Sequence, residues 1–89
     1  MQSKKITIIN KLGLHARAAA KLVQTASGFA SDISIVHKGK KVSGKSIMGI
    51  MMLAASKGSH IEIITAGSDE KEALTAIEEL ILDRFGEPE

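Results

Sequence analysis

Apolar residues recur at every second position in three short runs of the chain, and this alternation limits the fold more than any other feature. The runs cover residues 5–9, 32–37 and 60–65, and isoleucine supplies most of their apolar positions. A period of two is typical of β-strands with one buried and one solvent-facing side, and such strands favour an antiparallel sheet that is covered on one face. A shorter strand at residues 41–43 is expected to follow the second run after a turn at residues 38–40.

Three other stretches show the spacing of α-helices. The first covers residues 16–27 and stops at Gly28, where a C-terminal cap belongs. The second is predicted over residues 46–57, begun by Ser46 and closed by Gly58, and the third begins at residues 68–70 with acidic groups in its first turn. The third helix has an apolar stripe made of Ala73, Leu74, Ile77, Leu80, Ile81 and Phe85. The order strand, helix, strand, strand, helix, strand, helix predicts an α/β (α+β) fold, an open-faced β-sandwich in which a four-stranded antiparallel sheet carries three helices on one face.

Size and composition narrow the class of protein. A chain of 89 residues is expected to form one domain over residues 1–89. It has no cysteine, which rules out disulfides and thiolate chemistry, and it begins without the apolar stretch of a signal peptide, so a cytoplasmic protein without membrane insertion is expected. The net charge is only +2 and two residues are aromatic, which argues against nucleic-acid binding. We expect a monomer that needs no cofactor and no metal, since His37 and His60 have no partner at metal-ligand spacing.

The junction between the first strand and the first helix holds the strongest candidate site. His15 stands where Ser, Thr, Asp or Asn normally begins a helix. A helix N-terminus is partly positive, so the backbone N–H groups of Ala16, Arg17 and Ala18 are expected to be available to a phosphate. The same positive end and the Arg17 guanidinium favour a neutral, nucleophilic imidazole. The pattern predicts that His15 accepts a phosphoryl group and that Arg17 pairs with its oxygens; a histidine that merely ends a loop is the plainer alternative.

Residues 39–46, read as GKKVSGKS, match the phosphate-loop pattern of nucleotide-binding proteins. The chain is short for such a domain, its strands alternate, and no apolar strand ends in an aspartate that could bind magnesium. Residues 40–43 are also predicted to be hairpin strand. We interpret the match as accidental and keep a small nucleotide-binding protein as the alternative of another class.

Ser46 and the helix that follows it suggest a second site. Ser46 is either a helix cap alone or also a phosphorylation site, since a phosphate there is tolerated by the helix dipole. If Ile50, Leu53 and Ala54 face the core, one set of apolar side chains is left on the surface. This set, called the apolar patch below, consists of Ile47, Met48, Met51 and Met52. Exposed methionines typically bind partner proteins, and ordinary core packing is the alternative.

Two segments of the chain resemble one known family. Residues 13–17, GLHAR, and residues 44–49, GKSIMG, are similar to the two motifs of the histidine-containing phosphocarrier (HPr) family of the bacterial phosphoenolpyruvate:sugar phosphotransferase system. The resemblance extends over essentially the whole chain, and it implies the open-faced β-sandwich described above. It implies a phosphoryl carrier rather than an enzyme: His15 would take a phosphoryl group on Nδ1 from phosphorylated Enzyme I and pass it to Enzyme IIA-type acceptors, with Arg17 stabilising it.

The resemblance also implies regulation and a docking surface. Ser46 would be phosphorylated by an ATP-dependent HPr kinase/phosphorylase, and the protein phosphorylated at Ser46 would receive phosphoryl groups poorly from Enzyme I. The centre of the docking surface would be Ile47, Met48 and Met51, rimmed by the basic side chains of Arg17, Lys21 and Lys45.

One position departs from the family pattern, which commonly has proline where this chain has Ala18. Alanine leaves an additional N–H at the helix start and a looser first turn. The departure leaves two subfamilies open, a full sugar-transport system and a mainly regulatory, nitrogen-related phosphorelay. A purely regulatory protein that acts through Ser46 and the apolar patch, with His15 idle, is a third hypothesis.

Overall fold

A four-stranded antiparallel sheet is covered on one face by three helices in the computed structural model, which describes all 89 residues. The elements are β1 (Gln2–Thr7), α1 (Ala16–Ser27), β2 (Asp32–His37), β3 (Lys40–Ser43), α2 (Ile47–Met52), β4 (His60–Ala66) and α3 (Glu70–Leu82). The strands are hydrogen-bonded in the order β1-β4-β2-β3, and every neighbouring pair is antiparallel. The predicted fold class and element order are confirmed.

The alternation of the strands decides which face the helices cover. In β2 and β4 every second side chain is buried: Ile33, Ile35, His37, Ile61, Ile63 and Thr65. The pairing of the two strands sets Ile35 opposite Ile63, so the two rows form one apolar surface. Burial of an isoleucine side chain contributes about 1.5–3 kcal/mol, and a shift by one residue would turn the whole row towards solvent.

Helix α1 has the predicted bounds, and His15 and Gly28 occupy its two caps. Its buried face consists of Ala18, Ala19, Leu22 and Ala26. Three of these four side chains are single methyl groups, which allows the helix backbone to lie close to α2 and α3, against which it packs. The start of α1 is therefore held by the core as well as by the preceding loop.

Helix α2 is shorter than predicted, because it ends at Met52 and not at Lys57. Ala54 takes a left-handed conformation with φ of 51°, which no α-helix continues through. The chain turns there so that the Ala55 carbonyl can accept a hydrogen bond from the Leu14 N–H at 2.9 Å. The prediction that Ala54 faces the core is wrong as a result, since Ala54 is exposed whereas Leu53 and Ala55 are buried.

Other boundaries also differ from the prediction, among them the end of β1, which is Thr7 and not residue 9. Strand β1 begins at Gln2, not at residue 5, because its backbone pairs with β4 from Gln2 opposite Thr65 onwards despite its charged side chains. Helix α3 ends at Leu82, and Phe85 is buried from a separate turn, Arg84–Gly86, rather than from the helix stripe. No helix of the protein has the length and apolar character that a membrane span requires.

Candidate functional site

The loop that leads to His15 is fixed by a close contact at Gly13. Gly13 has φ of +65° and is buried, and a Cβ atom there would lie 2.5 Å from the Ala55 carbonyl oxygen and 2.7 Å from the Ser56 Cα. Only glycine allows this approach together with a positive φ. The Leu14 N–H donates to the same carbonyl, so the loop packs against the turn after α2. This contact fixes the position of the His15 backbone.

His15 is the N-cap residue of α1, as the sequence indicates, but its side chain makes no capping hydrogen bond. Its carbonyl oxygen accepts the first backbone bond of the helix, from the Ala19 N–H at 2.8 Å. The N–H groups of Ala16, Arg17 and Ala18 therefore have no helical partner. Ala16 and Arg17 are exposed, whereas Ala18 is fully buried as part of the core. Ala18 has no exposed surface in this conformation, and its predicted part in holding a phosphate stays a prediction.

The imidazole of His15 is paired with a carboxylate that the sequence analysis does not identify. The Glu87 Oε2 atom lies 2.5 Å from His15 Nε2, and no hydrogen bond involves Nδ1. A carboxylate of this kind only accepts hydrogen bonds, so Nε2 is the protonated nitrogen of the pair. The Glu87 side chain is 9% exposed and the His15 side chain 27% exposed. The site therefore contains a negative group that opposes the charge of Arg17 and of the helix end beside the ring.

Three neighbours hold the Glu87 carboxylate ionised. Burial favours the neutral acid, but the hydrogen bonds from Asn10 and His15 and the charge of Arg17 outweigh it and lower the pKa of Glu87. The Asn10 side chain is fully buried, and its Nδ2 donates to Glu87 Oε1 at 3.0 Å and to the Gly13 carbonyl at 2.8 Å. Asn10 thus joins the loop before His15 to the segment that carries Glu87.

The predicted basic residues have different surroundings. Arg17 is exposed and makes no ion pair, which leaves its guanidinium available. The Lys21 Nζ donates to the Phe85 carbonyl at 2.6 Å, and the Lys45 Nζ donates to the Phe29 carbonyl at 2.7 Å. Both lysine side chains are thus held by backbone carbonyl acceptors.

Ser46 is the N-cap of α2, and its hydroxyl oxygen accepts a hydrogen bond from the Gly49 N–H at 3.1 Å. The predicted cap is confirmed. The apolar patch is exposed as the sequence indicates, with Ile47 43%, Met48 69%, Met51 40% and Met52 62% exposed, while Ile50 is fully buried. Since α2 packs against α1, these side chains lie on the helix next to the one that His15 begins.

Comparison with known proteins agrees with this geometry. The family described as "PTS HPr component phosphorylation site" matches residues 2–83. The chain belongs to the HPr family. Phosphocarrier protein HPr of Neisseria meningitidis (serogroup A) is 55% identical over 89 residues, which is the full length of both chains. A crystal structure of HPr from Thermoanaerobacter tengcongensis superimposes with a TM-score of 0.97 at 49% identity and full coverage of both chains. A crystal structure of an HPr dimer from the same organism has a TM-score of 0.79 at 50% identity, and the match covers 98% of this chain and all of that chain.

Membership of the HPr family gives the function its class: the protein is a phosphocarrier of the phosphotransferase system, a carrier and not a catalyst in its own right. The phosphate-loop alternative loses its support, because four of the eight matching residues form strand β3, which pairs with β2. His37 is buried with Nδ1 3.0 Å from the Leu53 carbonyl, and the His60 ring pairs with the Thr7 hydroxyl at 2.9 Å, so both histidines have hydrogen-bond partners outside the His15 site.

Two residues of the site have no signal in the sequence. Glu87 lies 72 positions after His15, and Asn10 reads as an ordinary loop residue. Only the Arg84–Gly86 turn, whose Phe85 the apolar stripe assigns to the third helix, brings Glu87 back to the start of α1.

Proposed function

We propose that His15 is the phosphoryl acceptor of this carrier and that Nδ1 is the atom that binds phosphorus. One observation carries the proposal: Nε2 is engaged by Glu87, while Nδ1 has no hydrogen-bond partner and the side chain keeps 27% of its surface exposed. A nucleophile in a carrier protein must reach the donor and the acceptor in turn, so a half-open imidazole with one free nitrogen suits the task.

The phosphoryl oxygens would be held by the exposed N–H groups of Ala16 and Arg17 and by the Arg17 guanidinium. A helix N-terminus stabilises an anion by about 0.3–1 kcal/mol at an exposed site, and an arginine fork adds two charge-assisted hydrogen bonds. Support for Arg17 comes from its exposure and from its lack of an ion pair. Ala18 enters this role only if the first turn of α1 opens.

The proposed partners are phosphorylated Enzyme I as donor and Enzyme IIA-type proteins as acceptors, all in the cytoplasm. Ile47, Met48 and Met51 of the apolar patch would form the centre of their common docking surface, with Lys21, Lys45 and Arg17 at its rim. Methionines adapt to more than one partner surface, and basic rims speed encounters with acidic faces. We propose that the protein works as a monomer. Size-exclusion chromatography with light scattering measures its mass in solution, and the mass of a dimer, the form of the related HPr dimer structure, would refute this.

The decisive experiment is intact-mass spectrometry after incubation with Enzyme I, magnesium and phosphoenolpyruvate. We expect one added phosphoryl group that is lost in acid, since phosphohistidine is acid-labile. His15→Ala should abolish the gain, and His60→Ala, which removes an exposed histidine from β4, should leave it intact. Retention of the phosphoryl group in His15→Ala would refute the assignment.

We propose further that Ser46 is a regulatory phosphorylation site for a serine kinase of the HPr kinase/phosphorylase type. Its hydroxyl caps α2 next to the apolar patch, so a phosphate would add negative charge within the docking surface while the helix dipole tolerates it. The phosphorylated protein should accept phosphoryl groups from Enzyme I more slowly. Acid-stable phosphorylation by the kinase with ATP, absent in Ser46→Ala, would test the site, and an unchanged rate from Enzyme I would refute the regulation.

A further inference from the structure

Residues 83–89 return to the loop before α1 and are fastened there at several points. Phe85 is fully buried, and its carbonyl accepts the Lys21 ammonium at 2.6 Å. Further along, the Lys11 N–H donates to the Glu89 carbonyl at 2.9 Å, and the Lys11 ammonium lies 3.2 Å from the Glu89 carboxylate. Glu87 lies between these two attachments, so its backbone is anchored on both sides.

The backbone of this return is strained. Arg84 and Phe85 have φ of 54° and 55°, which non-glycine residues rarely adopt, and Gly86 follows with φ of 76°. Each such residue costs about 1 kcal/mol or more, and the burial of Phe85 offsets that cost. The strained turn reverses the chain after α3 and brings the Glu87 carboxylate to His15 Nε2.

We propose that Glu87 is a positioning residue for His15: it holds the proton on Nε2, so that Nδ1 presents its lone pair to the phosphoryl donor. The inference rests on the proposed role of His15. A carboxylate that fixes the tautomer and the orientation of an imidazole through one ring nitrogen is a general device in proteins whose other ring nitrogen reacts. Asn10, which binds the second oxygen of the carboxylate, in turn orients Glu87.

The same contact acts after transfer. The Nδ1 lone pair forms the new N–P bond while the bond between phosphorus and the donor breaks, and the electron pair of that bond leaves with the donor. Nε2 keeps its proton throughout, so the phosphorylated ring carries a positive charge. The Glu87 carboxylate stabilises this charge at hydrogen-bond distance and keeps the ring from turning.

The test compares Glu87→Gln with the wild type and with Glu89→Gln, a matched control that removes a carboxylate from the same segment without touching His15. Ring nitrogens of ¹⁵N-histidine-labelled protein are observed by NMR near neutral pH, without any donor. We expect the wild type and Glu89→Gln to have Nε2 protonated and Nδ1 bare. In Glu87→Gln the amide both donates and accepts, so the two nitrogen signals should move towards each other as the tautomers mix.

The second measurement is the rate of phosphoryl transfer from Enzyme I to the same three proteins, with thermal unfolding as the check on folding. Loss of the ionic part of one hydrogen bond predicts a rate about tenfold lower for Glu87→Gln, and no change for Glu89→Gln. Identical nitrogen signals in Glu87→Gln and Glu89→Gln would overturn the proposal, and so would altered signals with an unchanged rate. Failure of the proposed function is recognised separately, by wild-type protein that gains no acid-labile phosphoryl group at His15.

Discussion

Replacement of Gly13 by alanine tests how the loop before His15 is held. The new Cβ would meet two backbone atoms, the Ala55 carbonyl oxygen at 2.5 Å and the Ser56 Cα at 2.7 Å. Neither can move away as a side chain would, so the turn after α2 must shift. The left-handed conformation itself costs an L-residue about 1–2 kcal/mol, and overpacking of this kind costs about 1–3 kcal/mol. We expect Gly13→Ala to lower the free energy of unfolding by about 2–5 kcal/mol on these two grounds.

A matched control separates the two contributions. Gly39 also has a positive φ, 79°, but a Cβ there would have no atom within 4 Å. Gly39→Ala should therefore lose only the conformational contribution, about 1–2 kcal/mol. Urea unfolding at 25 °C measures both variants, and for a domain of this size each 1 kcal/mol lowers Tm by roughly 4–8 °C. If the two variants differ by less than about 0.5 kcal/mol, which is the ordinary scatter between independent substitutions, the close contact at Gly13 does not constrain the loop.

Three further predictions test other parts of the fold. Ser46→Ala should lower the free energy of unfolding by about 1 kcal/mol through loss of the α2 cap, whereas Ser46→Asp should retain most of it; urea unfolding compares them. The hydrogen bonds from Ser31 and the Ala30 N–H lower the pKa of Asp69. The contribution of Asp69 to stability is therefore present above pH 4 and is lost as the pH falls through the lowered value. Asp69→Asn should flatten the acid limb of a stability–pH curve, and Asp83→Asn, a control without such hydrogen bonds, should not. Phe85→Ala should cost about 3–5 kcal/mol and release Glu87, seen as mixed His15 tautomers by NMR in protein that is still folded.

Much of the fold follows from local pattern. The alternation of β2 and β4 fixes the buried row, and the bounds of α1 follow from His15, the helical spacing and Gly28. These elements are predictable because each side chain faces the same environment that its position in the repeat implies. The predictions for His15, Arg17 and Ser46 arise in the same way, since helix starts have chemistry that is visible in a few consecutive residues.

The rest depends on contacts between distant segments. Helix α2 continues as an apolar run in the sequence, but the Leu14 N–H takes the Ala55 carbonyl and ends it early. Glu87 is one of many surface acids until the Arg84–Gly86 turn brings it to the imidazole. A pattern within one segment contains no information on such pairs, because each pair depends on a residue far away in the sequence. The strained turn that carries Glu87, for example, is stabilised by the burial of the Phe85 ring.

The charges around His15 suit a group that must be gained and then given up. A phosphoryl group adds close to two negative charges beside Glu87, which stays ionised because Asn10 and the ring hold it. On the proposed mechanism the ring becomes positive, the helix N-terminus contributes about half a charge, and Arg17 contributes one more. On the same mechanism Glu87 stabilises the ring and repels the phosphoryl oxygens at once, so we expect the bound group to be held only moderately. Arg17 has no ion-pair partner in the unmodified protein. On the proposed mechanism its guanidinium can therefore pair with the phosphoryl group when it arrives and release it when donors of the acceptor protein take over its oxygens. A second carboxylate fixed near Nδ1 would tip this balance towards release, and loss of Arg17 would do the same by removing one of the two full positive charges that attract the group.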